Sequence, residues 1–169
     1  MSTVEDPIAS KLNGSIWVGI RVLAGLLWIQ NVGWKYPPNF EILGRSIQRG
    51  IDQPTWGPFS SFLDAVVIDN LVAFGWLTLM SELVVGAMLL AGFSTRLAAL
   101  IGVVQSLFIG LTVAGVEHEW GWSYWMMVAV HAAIYAAAAG RFCGVDGIMR
   151  PRLAASNRQL ARLYLGFAS

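Results

Sequence analysis

Charge is scarce in this sequence. Only 12% of its 169 residues are Asp, Glu, Lys or Arg, and the net charge is +1. So weak a positive balance gives no electrostatic grip on a phosphate backbone, and nucleic acid is not an expected partner. Cysteine is scarcer still: Cys143 stands alone, which excludes an internal disulfide, a C-x-x-C pair and thiol–disulfide chemistry within one chain. Of the two histidines only His131 lies in an apolar stretch, so the facing pair that a bis-His haem requires is missing. His118 sits between Glu117 and Glu119, but three adjacent residues make poor chelating geometry; neither haem nor metal is expected. A G-x-G-x-x-G turn, a P-loop and a G-x-S-x-G elbow are also missing.

What the chain has instead is apolar length. Hydrophobic residues make up 56% of it, and the mean hydropathy is +0.61. Four stretches, 14–33, 72–93, 97–116 and 124–140, are long and apolar, against the roughly 20 residues that a helix needs to cross a bilayer. The expected fold is an all-α integral membrane protein: one domain over 1–169, a four-helix transmembrane bundle with an outer amphipathic loop segment. Met1–Asn13 carries Glu5 and Asp6 beside Lys11, and no A-x-A cleavage pattern follows, so the first apolar run reads as a retained span. Lys11, Arg96, Arg141, Arg150, Arg152, Arg158 and Arg162 fall on one side of such a bundle; Lys35, Arg45 and Arg49 fall on the other. Positive residues favour the cytoplasmic side, which predicts a multi-pass plasma-membrane protein with both termini cytoplasmic.

The loop over 34–71 is punctuated by Pro37-Pro38, Pro54 and Gly57-Pro58. Between these breaks Phe40, Leu43 and Ile47 have the spacing of a short amphipathic helix. Phe59–Asp69 reads as a helical lead-in to the second span. A continuous helix from Phe59 to Phe93 would be about 50 Å long, which exceeds the bilayer, so the lead-in is expected either to project from it or to bend near Asn70 to Gly75. The segment should lie on, or partly in, the outer mouth of the bundle. Trp34, Trp56, Trp76, Trp120, Trp122 and Trp125 gather on that side, as an interfacial belt or as a docking surface. In the third span Ala98, Gly102, Ser106, Gly110 and Ala114 form a small-residue ladder suited to close helix packing. Residues 141–169 form a basic cytoplasmic tail, with a surface helix expected over Ser156–Leu165.

Each span carries a polar residue near its middle: Arg21, Glu82, Gln105 and His131. Ionisable groups at membrane depth are costly unless paired, so they should face the bundle interior and mark a site. Arg21, Trp28, Asn31 and Lys35 also form a stripe along the first helix. Two readings stand together. In one, Arg21 and Glu82 form a buried ion pair that sets helix register, with His131 and Gln105 filling spare hydrogen bonds. In the other, Arg21, Trp28, Asn31 and Lys35 line an outward-open cavity for a quinone headgroup or a small anion, with Glu82 or His131 exchanging protons.

Three patterns occur in order. R-x3-G-x2-W ending in a lysine is Arg21, Gly25, Trp28 and Lys35. E-x3-G-x5-G-x2-T-R is Glu82, Gly86, Gly92, Thr95 and Arg96. G-R-x2-G-x-D-G is Gly140, Arg141, Gly144, Asp146 and Gly147. With them the chain resembles the DoxX/DoxD family of small four-helix membrane proteins, over about Ser15 to Pro151. Its Trp-Lys-Tyr-Pro-Pro loop resembles the DoxD-like branch, named for the small subunit of thiosulfate:quinone oxidoreductase. That resemblance implies a membrane subunit without its own redox centre, working with a redox partner protein and quinone. A non-catalytic membrane anchor or assembly subunit is the alternative, and a small transporter or proton pathway, requiring a homo-oligomer, the third.

Overall fold

The computed structural model describes residues 7–156 and 158–168. Residues 1–6, with the Glu5 and Asp6 on which the reading of the N-terminus rests, lie outside them. Among the described residues the chain is helical, with no strand. Helix α1 (Pro7–Val32) leads to α2 (Glu41–Asp52), α3 (Gly57–Phe62) and a π turn over Leu63–Val67. Then come α4 (Leu71–Ala91), α5 (Thr95–Val113), α6 (Gly121–Ala137), α7 (Val145–Ala154) and α8 (Gln159–Leu163). Three stretches are long and apolar enough to cross a membrane: Asn13–Val32, Leu71–Ala91 and Thr95–Val113. The fourth predicted span is the 17-residue α6, which packs along α5.

Side-chain size sets how these helices meet. Helices α1 and α4 run antiparallel and cross where Gly25 faces Gly86. A Cβ on either would lie about 3 Å from the other's carbonyl oxygen. The α5 ladder faces α6 as its spacing predicts: Ala98, Gly102, Ser106 and Gly110 are buried, and a Cβ on Gly102 would collide with the imidazole of His131. Small residues let helices approach closely enough for dispersion to hold them, since lipid gives no hydrophobic drive between apolar surfaces. Trp28, Val85, Leu89, Ala98, Ala99 and Ile134 fill one core cluster between these helices.

The loop over 34–71 folds onto one end. Helix α2 has the expected stripe, with Phe40, Leu43 and Ile47 buried against Leu63, Val67 and Leu79. Gly50 sits so close to the Thr112 carbonyl that any side chain there would strike α5 backbone. Gln53 Oε1 accepts from Glu117 N–H at 2.6 Å and Thr55 Oγ1 from Gly115 N–H at 2.7 Å, tying the segment after α2 to the α5–α6 loop. The lead-in breaks at residues 68–70, at the near edge of the expected bend.

At the opposite end the described residues of 141–156 and 158–168 hold more helix than a basic tail predicts. They contain α7 as well as α8, and the start of α1 lies beside them, with Gly14 against Phe142.

Candidate functional site

The polar residues of the spans separate into three places rather than one layer. The first is the end where α1 finishes. There Lys35 Nζ lies 2.8 Å from Glu82 Oε2, and Asn31 Nδ2 donates to Glu82 Oε1 at 3.0 Å. Lys35 also donates to the Asn31 carbonyl at 2.9 Å, and its ammonium stands 4.2 Å from the Trp34 ring centroid. Trp34 Nε1 closes the set by donating to Asn31 Oδ1 at 3.0 Å. Glu82 is 0% exposed and Lys35 3%. Burying these two charges is tolerable because each faces the other at hydrogen-bond distance.

Above this pair lies a cavity of about 350 Å³. Asn31, Trp34, Lys35 and Glu82 form its inner wall, and α2 contributes Ile42, Leu43, Ser46, Ile47 and Arg49. Phe74 and Thr78 of α4, and Phe108, Ile109, Thr112 and Val113 of α5, complete a mostly apolar lining. Glu119 and Tyr124 stand on its α6 side, the phenol donating to Glu119 Oε2 at 2.7 Å. Such a volume suits a small organic group, held by apolar walls and oriented by a few polar ones. Among the described residues the hydroxyls of Ser46 and Thr78 have no protein hydrogen-bond partner.

The second place is deeper and closed. Trp28 Nε1 donates to His131 Nε2 at 2.7 Å, and His131 Nδ1 lies 2.7 Å from the Met127 carbonyl. An indole N–H only donates, so Nε2 accepts and Nδ1 carries the proton: a neutral imidazole with both nitrogens engaged. Gln105 Nε2 donates to Ser81 Oγ, joining α5 to α4. Trp28, Gln105 and His131 do not line the cavity.

The third place, the far end, corrects the expected Arg21–Glu82 pair. Arg21 donates to the carbonyls of Leu89 at 2.9 Å, and of Leu90 and Cys143 at 3.4 Å. The Gly25–Gly86 crossing sets this register: Arg21 falls opposite Leu89, seven residues (about 10 Å along the helix) beyond Glu82. Glu82 therefore meets Asn31 and Lys35. Around Arg21 the second and third sequence patterns meet in a clasp. Asp146, 1% exposed, accepts from the N–H groups of Ser94 at 2.8 Å and Thr95 at 2.9 Å, capping the start of α5. Its Oδ1 also accepts from Tyr164 OH at 2.5 Å. Burial, then the bond to Asp146 and its charge, push that phenol's pKa up to about 12. Gly92 ends α4 at φ +64°, where other residues are strained, and its carbonyl accepts from Asp146 N–H at 2.9 Å. A side chain on Gly140 would displace Thr95 Oγ1 and Asp146 Oδ2.

A family model described as TQO small subunit DoxD matches residues 16–167. The chain belongs to the DoxD family. No curated protein and no solved structure matches it. In this DoxD chain most residues of the resemblance patterns have a structural role, with Gly25 and Gly86 at a helix crossing and Gly92, Thr95, Gly140 and Asp146 in the clasp. Lys35 and Glu82 alone among them reach the cavity. Sequence reasoning missed Ser46, Arg49, Thr78, Glu119 and Tyr124. For Ser46 the signal was there: it lies three residues from Leu43 and one from Ile47, at the edge of the α2 stripe. Tyr124 and Glu119 come together only through the turn into α6.

Proposed function

We propose that this chain is the membrane subunit of a quinone-linked oxidoreductase, of the thiosulfate:quinone oxidoreductase type, and that the cavity receives the quinone headgroup. The observation that carries the reading is the cavity itself: a lumen of about 350 Å³ with apolar walls beside a buried Lys35–Glu82 pair. The donor set fits a ring with carbonyl oxygens. Phe74 and Phe108 offer faces or edges to the ring, and an ammonium has three donors, of which Lys35 uses two on Asn31 and Glu82. Ser46, Thr78 and Arg49 supply further donors on the wall. The quinone supplies the electron-accepting chemistry, and a partner protein supplies the electrons. This chain orients the ring, excludes water from it and holds a proton at the Tyr124 hydroxyl, in contact with the Glu119 carboxylate. Glu82 and His131, the proton carriers expected from sequence, fit that task less well, the first sealed in an ion pair and the second bonded at both nitrogens. A small anion would instead draw on Arg49 and Lys35.

The proposal places the protein in the plasma membrane as a multi-pass protein, with the clasp end and both termini cytoplasmic. In a Cys143→Ser background, cysteine at Glu117 should label from outside and cysteine at Arg152 should not. Gly50 is unsuitable as a probe because its contact with Thr112 leaves no room. For the ligand, the lipid extract of gently purified protein should contain quinone. Thr78→Phe, which fills the lumen, should purify without it. Equal quinone in both preparations would move the site elsewhere.

A further inference from the structure

We propose that the cavity opens sideways into the lipid at Phe108, and that its ligand is a quinone whose isoprenoid tail leaves along Phe108, Phe59 and Phe62 while the headgroup stays beside Lys35. The inference rests on the quinone reading of the cavity and adds the route by which such a ligand enters. The lumen, about 350 Å³, lies near the small end of the range for ligand pockets, roughly 300–1,000 Å³. A ring fits within it. A tail of several isoprene units has to lie outside, and its chemistry requires an apolar path.

Phe108 lines the lumen, yet it also continues the outward stripe of α5. Leu97, Leu100 and Val104 are exposed at steps of three and four residues, and Phe108, the next step, is 37% exposed. One side chain therefore separates the cavity from the surface at this point. Counted back from Val113, Phe108 lies about 7.5 Å inside the end of the membrane-spanning stretch, where lipid chains rather than water meet an outward face. The segment before α4 packs against the same face. Thr55 Oγ1 donates to the Gly110 carbonyl at 3.4 Å. The Phe59 ring stands 5.0 Å from that of Phe108 at 80°, and the Phe62 ring 6.4 Å from it at 85°. Neither Phe59 nor Phe62 lines the lumen, and Phe62 is 38% exposed, so three rings lead from the lumen to the surface with no polar atom on them. Edge-to-face contacts hold the Phe108 ring. Its side chain makes no hydrogen bond that would have to break for the ring to turn aside. The mouth beside α2 is unlike this: Arg49 and Glu119 stand on its wall, and a tail leaving there would pass charged groups.

The test uses full-length protein in lipid nanodiscs and two quinones with the same headgroup, one with a methyl group in place of the tail and one with three isoprene units. A third probe carries a diazirine on its second isoprene unit, and peptide mass spectrometry locates the label after illumination. Label that unlabelled quinone displaces should fall on residues 59–66 and 104–108. Phe62→Gln should weaken binding of the tailed quinone by about tenfold and leave the tail-less one unchanged. Leu27→Gln, a like change at an exposed apolar residue of α1, should alter neither. Should Phe62→Gln not fold, labelling of the wild type decides alone. Label on α2 or on residues 117–122, label that unlabelled quinone does not displace, or a folded Phe62→Gln protein that treats both quinones alike would each overturn the sideways opening while leaving the quinone reading of the cavity in place. Binding of neither quinone to the wild type would overturn that reading, and the opening with it.

Discussion

Both ends of this molecule bury a carboxylate, and the two are treated differently. At the clasp end Asp146 accepts from two backbone N–H groups and a phenol, so fixed dipoles meet its charge. At the cavity end Glu82 accepts from Lys35 and Asn31, beside a lumen. A carboxylate satisfied by backbone joins elements together: Asp146 ties α7, α5 and the segment after α8. One satisfied by an ammonium with a donor to spare leaves room for something else. The difference separates a carboxylate that joins helices from one buried beside open space.

The largest effect should come from splitting the cavity-end pair. Lys35→Met alone leaves Glu82 buried without its cation, and the loss should be about 3–5 kcal/mol in thermal unfolding in detergent. Adding Glu82→Leu should restore much of that stability but not ligand binding. Next comes the clasp: Asp146→Ala removes charge-assisted bonds at the start of α5 and should cost about 2–4 kcal/mol. Quinone affinity of the protein that remains folded should not change. Gly102→Leu should cost about 1–3 kcal/mol through its collision with His131, while Val104→Leu, facing outward, should stay within about 0.5 kcal/mol. The smallest effect is a null. Arg21→Gln and Glu82→Gln should add within about 0.5 kcal/mol in a double-mutant cycle, because the two side chains occupy opposite ends. A coupling above 1 kcal/mol would mean that the α1–α4 register is wrong.

How much of this was legible from sequence depended on how local its cause is. The ladder of α5 and the stripe of α2 are readable, because spacing along one helix decides which residues share a face. The break at 68–70 followed from length against bilayer thickness. The Arg21–Glu82 pair failed because aligning the centres of apolar stretches takes no account of where helices cross. Gly25 and Gly86 fix that crossing and slide Lys35, beyond the end of α1, onto Glu82. Helix α7 was missed for a similar reason: its anchor, Asp146, bonds to backbone some fifty residues away. As for the cavity, Lys35, Asn31 and Glu82 were named in advance. The α2, α5 and α6 walls needed the fold.

The central claim is that the proposed quinone site lies at the cavity end, while Asp146 at the clasp end serves the fold. It is tested most directly by titrating a short-chain quinone into purified wild-type, Thr78→Phe and Asp146→Asn protein, and following tryptophan fluorescence. The account predicts saturable quenching in wild type, the same dissociation constant in Asp146→Asn despite its lower unfolding temperature, and no saturable quenching in Thr78→Phe. Unchanged quenching in Thr78→Phe, together with lost affinity in folded Asp146→Asn, would contradict it and put the ligand at the clasp.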